Sequence, residues 1–146
     1  MAKVTDILSR KGSDVFTVDP DTTVYDAIGT MVDRGVGSLL VVREKEILGI
    51  LTERDYLRKV ALEGRSSRET PVREIMSSNI ICIGKEHDVE EVLAIMSEAR
   101  IRHLPVLDGS GLAGLVSIGD CVKQVSRDRE AQVRYLTDYI ADGYPG

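Results

Sequence analysis

Gly49-Ile50-Leu51-Thr52-Glu53-Arg54-Asp55 returns as Gly114-Leu115-Val116-Ser117-Ile118-Gly119-Asp120, 65 residues further on. Each copy closes an apolar strand, then sets a hydroxyl residue, an Asp three positions later and the start of a helix. Two uses fit such a stretch. Thr52-x-x-Asp55 and Ser117-x-x-Asp120 resemble capping boxes, in which the hydroxyl caps the helix and the acid answers its dipole. Free amides at the same helix end can instead hold a phosphate. An Asp there can take a ribose diol by two hydrogen bonds. A single copy reads as a cap. Two copies at one place in two repeats point toward a pair of ligand sites, with capping left open.

Working outward, the whole chain repeats. Val4-Thr5-Asp6-Ile7-Leu8-Ser9 is a short helical lead-in with Val4, Ile7 and Leu8 on one face, and Lys11-Gly12-Ser13-Asp14 breaks it. Val15 to Val18 is a short strand. Thr22 or Thr23 caps a helix whose apolar positions are Val24, Ala27, Ile28, Met31 and Val32, ended by Gly35. Leu39 to Val42 is apolar enough to be buried on both faces. Ile47 to Leu51 is the next strand, and Thr52 opens a helix through about Leu62. After Gly64 to Pro71, the only clear linker, the order returns: Val72 to Ser77, Ile80 to Ile83, Val89-Val92-Leu93-Met96, then Leu104 and Val106. The offset holds without a gap from Phe16/Ile81 to Val60/Val125, which marks an internal repeat.

The expected fold is therefore α/β: two β-α-β-β-α repeats, 4–62 and 72–126, joined by a linker at 63–71 and followed by a helical tail at 127–146. A unit of roughly 60 residues is marginal alone. Two such units are expected to pack sheet to sheet about a pseudo-twofold axis, with one cleft near each strand-to-helix turn. The tail stripe Val122, Val125, Val133, Leu136 and Ile140 runs to a stop at Asp142-Gly143. It either folds back on its own domain or meets a second chain.

Composition excludes several classes. The chain has 146 residues, 42% hydrophobic and 29% charged, as in ordinary globular proteins. Trp is absent and Phe occurs once, so the core must be aliphatic. A net charge of −5 disfavours nucleic acid and anionic membrane as partners, and argues against base stacking by Tyr135, Tyr139 and Tyr144. No apolar run approaches the ~20 residues of a membrane span. The start carries neither a signal-peptide core nor a transit segment, and the expected location is the cytoplasm. Cys82 and Cys121 read as reduced, partly buried thiols. His87 is expected to be exposed. Two His and two scattered Cys suggest no metal site, and no HExxH, GxSxG or P-loop pattern supports catalysis.

The duplicated unit ending in Gly-x-x-Thr/Ser-x-x-Asp resembles a pair of cystathionine-β-synthase (CBS) domains, a Bateman module, from Val4 to Val125. Thr52 to Lys59, Gly64 to Ser67 and Ile101 to Val106 look like stand-alone single-module members. The resemblance implies binding of an adenosine ligand: AMP, ADP, ATP, NAD or S-adenosylmethionine. It also implies pairing of two modules. By that resemblance Asp55 and Asp120 hold the ribose hydroxyls, and Thr52 and Ser117 lie near sugar or phosphate. Thr17-Val18 and Cys82-Ile83 wall the adenine, with Val36 and Ile101 opposite. Arg102 and His103 match a basic pair facing phosphate. The first repeat departs here, with Gly37 and Ser38, so its cleft is expected to differ.

Arg102 can fork two hydrogen bonds to phosphate, and His103 adds a donor whose charge follows pH. The other reading leaves one solvated and one capping a strand end. Arg54 opposes the helix dipole, which hints at an anionic partner. Gly119 leaves room for close backbone approach. Arg65-Ser66-Ser67-Arg68 reads as linker before phosphate site. The expectation is a regulatory, non-enzymatic adenine-nucleotide module, homodimeric, that signals to a partner protein. The alternative is an interaction subunit with empty clefts that docks a larger enzyme.

Overall fold

Leu39, Leu40 and Val41 are each fully buried, as an apolar run covered on both faces requires. They lie in β2 (Ser38–Arg43), the middle strand of a three-stranded sheet. β1 (Thr17–Val18) pairs parallel to it and β3 (Glu46–Thr52) antiparallel. The computed structural model describes residues 2–109 and 111–140, excepting the side chains of Val133 and residues 135–140. The second sheet repeats the first, with β4 (Ile83–Gly84) parallel to β5 (His103–Asp108) and β6 (Gly111–Ser117) antiparallel to β5. Each hairpin carries a bulge at the same place, where Leu48 or Ala113 is skipped in the register beside Gly49 or Gly114.

The predicted strands Val15 to Val18 and Ile80 to Ile83 both shorten to two residues, and Pro105 explains why β4 begins one step later than β1. In the first sheet the Leu40 amide donates to Phe16 O at 3.0 Å. Pro105 occupies the corresponding place and has no amide proton. Pairing therefore starts one step later, at Ile83 opposite Val106. Cys82 falls outside the strand and is exposed, not partly buried.

The helices begin where their caps stand. Thr23 caps α2 (Val24–Arg34), its hydroxyl accepting the Asp26 amide at 3.2 Å. Gly35 ends that helix at φ +66°, the left-handed cap that glycine adopts without strain. Val24, Ala27 and Met31 face the core, but Val32 is 74% exposed and does not belong to the apolar face. α3 (Glu53–Tyr56) is one turn only and continues as a π turn over Leu57–Ala61, so the long helix expected to Leu62 is irregular. Asp88 caps α4 (Val89–Ala99).

The chain forms two compact units that cross the sequence repeats. The first spans Asp14–Ile81; the second joins the residues before Asp14 to those from Cys82 onward. The lead-in helix α1 (Val4–Lys11) thus belongs with the second sheet, and the Val72–Glu74 turn with the first. Burial accounts for both. Val4 and Ile7 are fully buried and Leu8 nearly so, each contributing about 1.5–3 kcal/mol on burial. Leu8 packs directly over Gly114. Val72 and Ile75 join Val24, Leu39, Leu51 and Val60 in the first core, while Met76 lies over Gly49. The repeated glycines are where each sheet admits a lead-in.

The linker is pinned as structure. Arg65 pairs with Glu74, the Arg68 guanidinium lies 3.9 Å from the Tyr25 ring centroid, and the Thr70 hydroxyl donates to Ser66 O at 2.7 Å. α5 (Ile118–Ile140) turns Cys121 and Gln124 inward, whereas Val122 is 54% exposed, so the predicted stripe is out of phase at its start. Gln124 binds Arg10 of α1 and donates to Asp128 at 3.1 Å. A groove of about 1000 Å³, bordered by Asp6, Arg10, Glu90, Gln124 and Arg129, opens there. The Asp142-Gly143 stop, Tyr144 and the side chains of Val133, Tyr135, Leu136, Tyr139 and Ile140 lie outside the described residues. No described helix is long and apolar enough to cross a membrane.

Candidate functional site

The first strand-to-helix corner is closed on itself. The Thr52 hydroxyl accepts the Asp55 amide at 3.1 Å. Asp55 Oδ2 accepts the Thr52 amide at 3.0 Å and its hydroxyl at 3.1 Å. Oδ1 accepts the Ser77 hydroxyl at 3.4 Å and lies 3.3 Å from Lys59 Nζ, which also donates to Ile75 O at 3.0 Å. Asp55 is 9% exposed. Both of its oxygens are engaged, so here the capping reading describes the geometry. The Glu53 amide bonds Gly37 O at 3.0 Å. Glu53 then lays its carboxylate beside Gly37, within 3.6–3.8 Å of where a Cβ would stand. Arg54 is exposed on the same turn, Val36 is half-buried, and Thr17 and Val18 pair with Leu40 and Val41 further along β2.

The second corner is more open. The Ser117 hydroxyl accepts the Asp120 amide at 3.1 Å, and the Ser117 amide donates to Asp120 Oδ2 at 2.9 Å. Lys11 Nζ donates to the same Oδ2 at 2.7 Å and to Leu115 O at 2.9 Å. Oδ1 carries neither bond. The Ile118 amide bonds Arg102 O at 2.9 Å, which fixes Arg102 at the foot of α5 with its side chain exposed. His103 is half-buried and pairs in register with Ser117. Gly119 is exposed, Ile101 half-buried and Ile83 buried. At the place of Glu53 this corner has Ile118, and at the place of Gly37 it has Arg102. Beside the start of β2 the first corner thus presents a carboxylate, Glu53, with Arg54 next on the turn, whereas beside the start of β5 the second presents the Arg102 guanidinium.

Sequence reasoning missed Lys11, Lys59, Ser77 and Glu53. Only Lys59, four residues after Asp55 on one helix, had a readable signal. His87, expected to be exposed, is half-buried, its Nδ1 accepting the Gly84 amide at 3.2 Å. Among the described residues no three His, Cys, Asp or Glu gather as a metal site. The groove beside α1 contains none of the corner residues.

Two sheets of one topology, each ending in the same capped corner, meet a known pattern. The CBS domain model matches residues 4–62 and 72–127. The chain belongs to the CBS-domain family. A mitochondrial CBS domain-containing protein of Arabidopsis thaliana is 39% identical over 97% of this chain and 73% of its own length. A solved structure described as a candidate signal-transduction protein with CBS domains, from Burkholderia ambifaria, is 48% identical. It covers 87% of this chain and 96% of that one with a TM-score of 0.81. A hexameric CBS-CP12 protein from bloom-forming cyanobacteria is 26% identical, covering 97% of this chain and 86% of that one with a TM-score of 0.78. This CBS chain is accordingly of the signal-transduction and regulatory family.

The electrostatics of the second CBS corner set a pH dependence. Burial alone would raise the Asp120 carboxyl, but the Lys11 ammonium and the Ser117 amide and hydroxyl outweigh it, and the carboxyl sits below its ordinary range. A lowered carboxyl stabilises the fold above its unfolded pKa of about 3.9, and that stability is lost as pH falls through the folded value. Asp120→Asn should therefore lower the urea midpoint at pH 7, and the gap to wild type should close on acidification below about pH 4. A gap that stays constant with pH would show that the ion pair contributes nothing. Beside it, burial pushes the Cys121 thiol up to about 11, with Asp120 adding and Lys11 opposing, so this cysteine stays a neutral core group.

Proposed function

We propose that this CBS-domain protein is a non-catalytic sensor of an adenosine-type nucleotide, bound at the second corner and signalled to a partner protein. One observation carries the reading. The backbone oxygen of Arg102, whose guanidinium is exposed, is tied to the first residue of α5, and in that same first turn stands a carboxylate, Asp120, with Oδ1 clear of its two bonds. A ribose diol suits the carboxylate, and a phosphate suits the guanidinium and the helix amides. AMP is the first candidate among AMP, ADP, ATP, NAD and S-adenosylmethionine. Ile101 and Ile83 are the apolar residues of that unit offered to the adenine, with Cys82 exposed next to them. Binding favours one arrangement of a cytoplasmic homodimer, and the partner senses it.

The first corner supports a second reading, since Asp55 is saturated and Glu53 repels phosphate. On that reading the protein is an interaction subunit whose sites stay empty. A thermal-shift panel of the five ligands separates the two. Binding adds about 2.7 kcal/mol at a hundredfold excess over Kd, so at least one nucleotide should raise the midpoint by several degrees. No shift with any of the five leaves the interaction reading.

A further inference from the structure

A lysine ammonium stands at the corner Asp of each unit, and the two lysines do not correspond in the repeat. Lys59 comes from the helix that begins at its own corner and bridges Asp55 Oδ1 to Ile75 O. The position matching Lys59 in the second repeat is Gln124, which is committed to Arg10 and Asp128. There the ammonium is supplied instead by Lys11, from the end of α1, bridging Asp120 Oδ2 to Leu115 O. The other lead-in offers no lysine in return: with Leu8 matched to Met76, which lies over Gly49 as Leu8 lies over Gly114, the residue matching Lys11 is the exposed Asn79. Each unit regains the same charge from a different part of the chain.

The two ammoniums differ in what remains open. An ammonium has three protons, and Lys11 uses two, on Asp120 and on Leu115 O. Its side chain is 37% exposed. Next to it, Asp120 Oδ1 accepts neither the Ser117 nor the Lys11 bond. An acceptor and a donor therefore stand side by side at one carboxylate edge. That is the complement of two neighbouring hydroxyls, one donating to Oδ1 and the other accepting from Nζ. In the first unit Ser77 and Lys59 both reach Asp55 Oδ1, so the same pair is shut.

We propose that Lys11, on the lead-in helix, is the donor half of a clamp for a vicinal diol, with Asp120 the acceptor half, so that the second corner is the diol site of this chain. The proposal rests on the nucleotide reading above and assigns the ribose a second, sequence-distant contact. Lys11 touches the ligand; its ion pair with Asp120 positions both groups.

The test is calorimetric titration of adenosine, 2′-deoxyadenosine and 3′-deoxyadenosine into wild type, Lys11→Met and Asp120→Asn. Wild type should prefer adenosine to each deoxynucleoside by about tenfold, as for one hydrogen bond to a charged group. Lys11→Met should abolish the preference over one deoxynucleoside and keep it over the other, and Asp120→Asn should abolish the second. A ratio is read, so a general loss of fold or of active protein does not imitate the result. Should Lys11→Met not fold, Lys11→Gln is read on the same ratios, where the discrimination should fall and not vanish. If Lys11 substitution weakens all three ligands equally, or none, Lys11 is only the structural partner of Asp120 and the clamp is overturned. If wild type binds no adenosine at all, the nucleotide reading itself falls, and the clamp with it.

Discussion

Gly49→Ala should destabilise the protein by about 3 kcal/mol, the upper end of overpacking in a close-packed interior, and Gly114→Ala by clearly less. A Cβ at Gly49 would lie 2.8 Å from Met76 Sδ and 2.8 Å from the backbone oxygen of Ser77. That oxygen cannot swing aside. It accepts the Ile50 amide at 3.0 Å, and the Ser77 amide donates back to Ile50 O at 2.9 Å. Moving Ser77 breaks this bridge and also disturbs the Ser77 hydroxyl on Asp55. At Gly114 the Cβ would meet Leu8 Cδ2 at 2.7 Å, the far end of a side chain that can change rotamer. Urea denaturation of both variants gives the comparison directly. Adding Met76→Ala to Gly49→Ala should recover only part of the loss, because the backbone oxygen remains. Equal costs at the two glycines would mean that the lead-ins do not pack as described.

Arg102→Ala should weaken AMP by about tenfold to a hundredfold, the loss of a charge-assisted contact, while adenosine changes little. The guanidinium reads the ligand's charge, so the difference between the two losses isolates the phosphate. Arg102 is exposed, and with a Debye length of about 8 Å at physiological salt its contact is partly screened. Raising salt should therefore weaken AMP more in wild type than in the variant. Glu53 on the first unit supplies the contrast: Glu53→Gln should leave AMP at the Arg102 corner unaffected. Titrating AMP and adenosine into each protein at two salt concentrations settles it. Equal losses for the two ligands would return Arg102 to the role of a solvated strand-end residue and leave the asymmetry of the repeats without a use.

The repeat, the order of strands and helices and the two capped corners were legible in the residues alone. Each is written locally: alternation and apolar runs for strands, the 3.6-residue period for α2 and α4, and a hydroxyl three places before an acid for each cap. Even the later start of β4 had its cause in view, since Pro105 cannot donate to a neighbouring strand. The tertiary structure decided the rest. Val-x-x-Ile-Leu and Val-x-x-Ile-Met are nearly the same lead-in and suit either sheet, so no local pattern assigns α1 to the second unit. That choice brings Lys11 to Asp120 across 109 positions, brings Ser77 to Asp55, and explains why both hairpins keep a glycine. Contacts between distant residues leave no periodicity in a single chain. They are set by which surfaces bury together and which charges meet there.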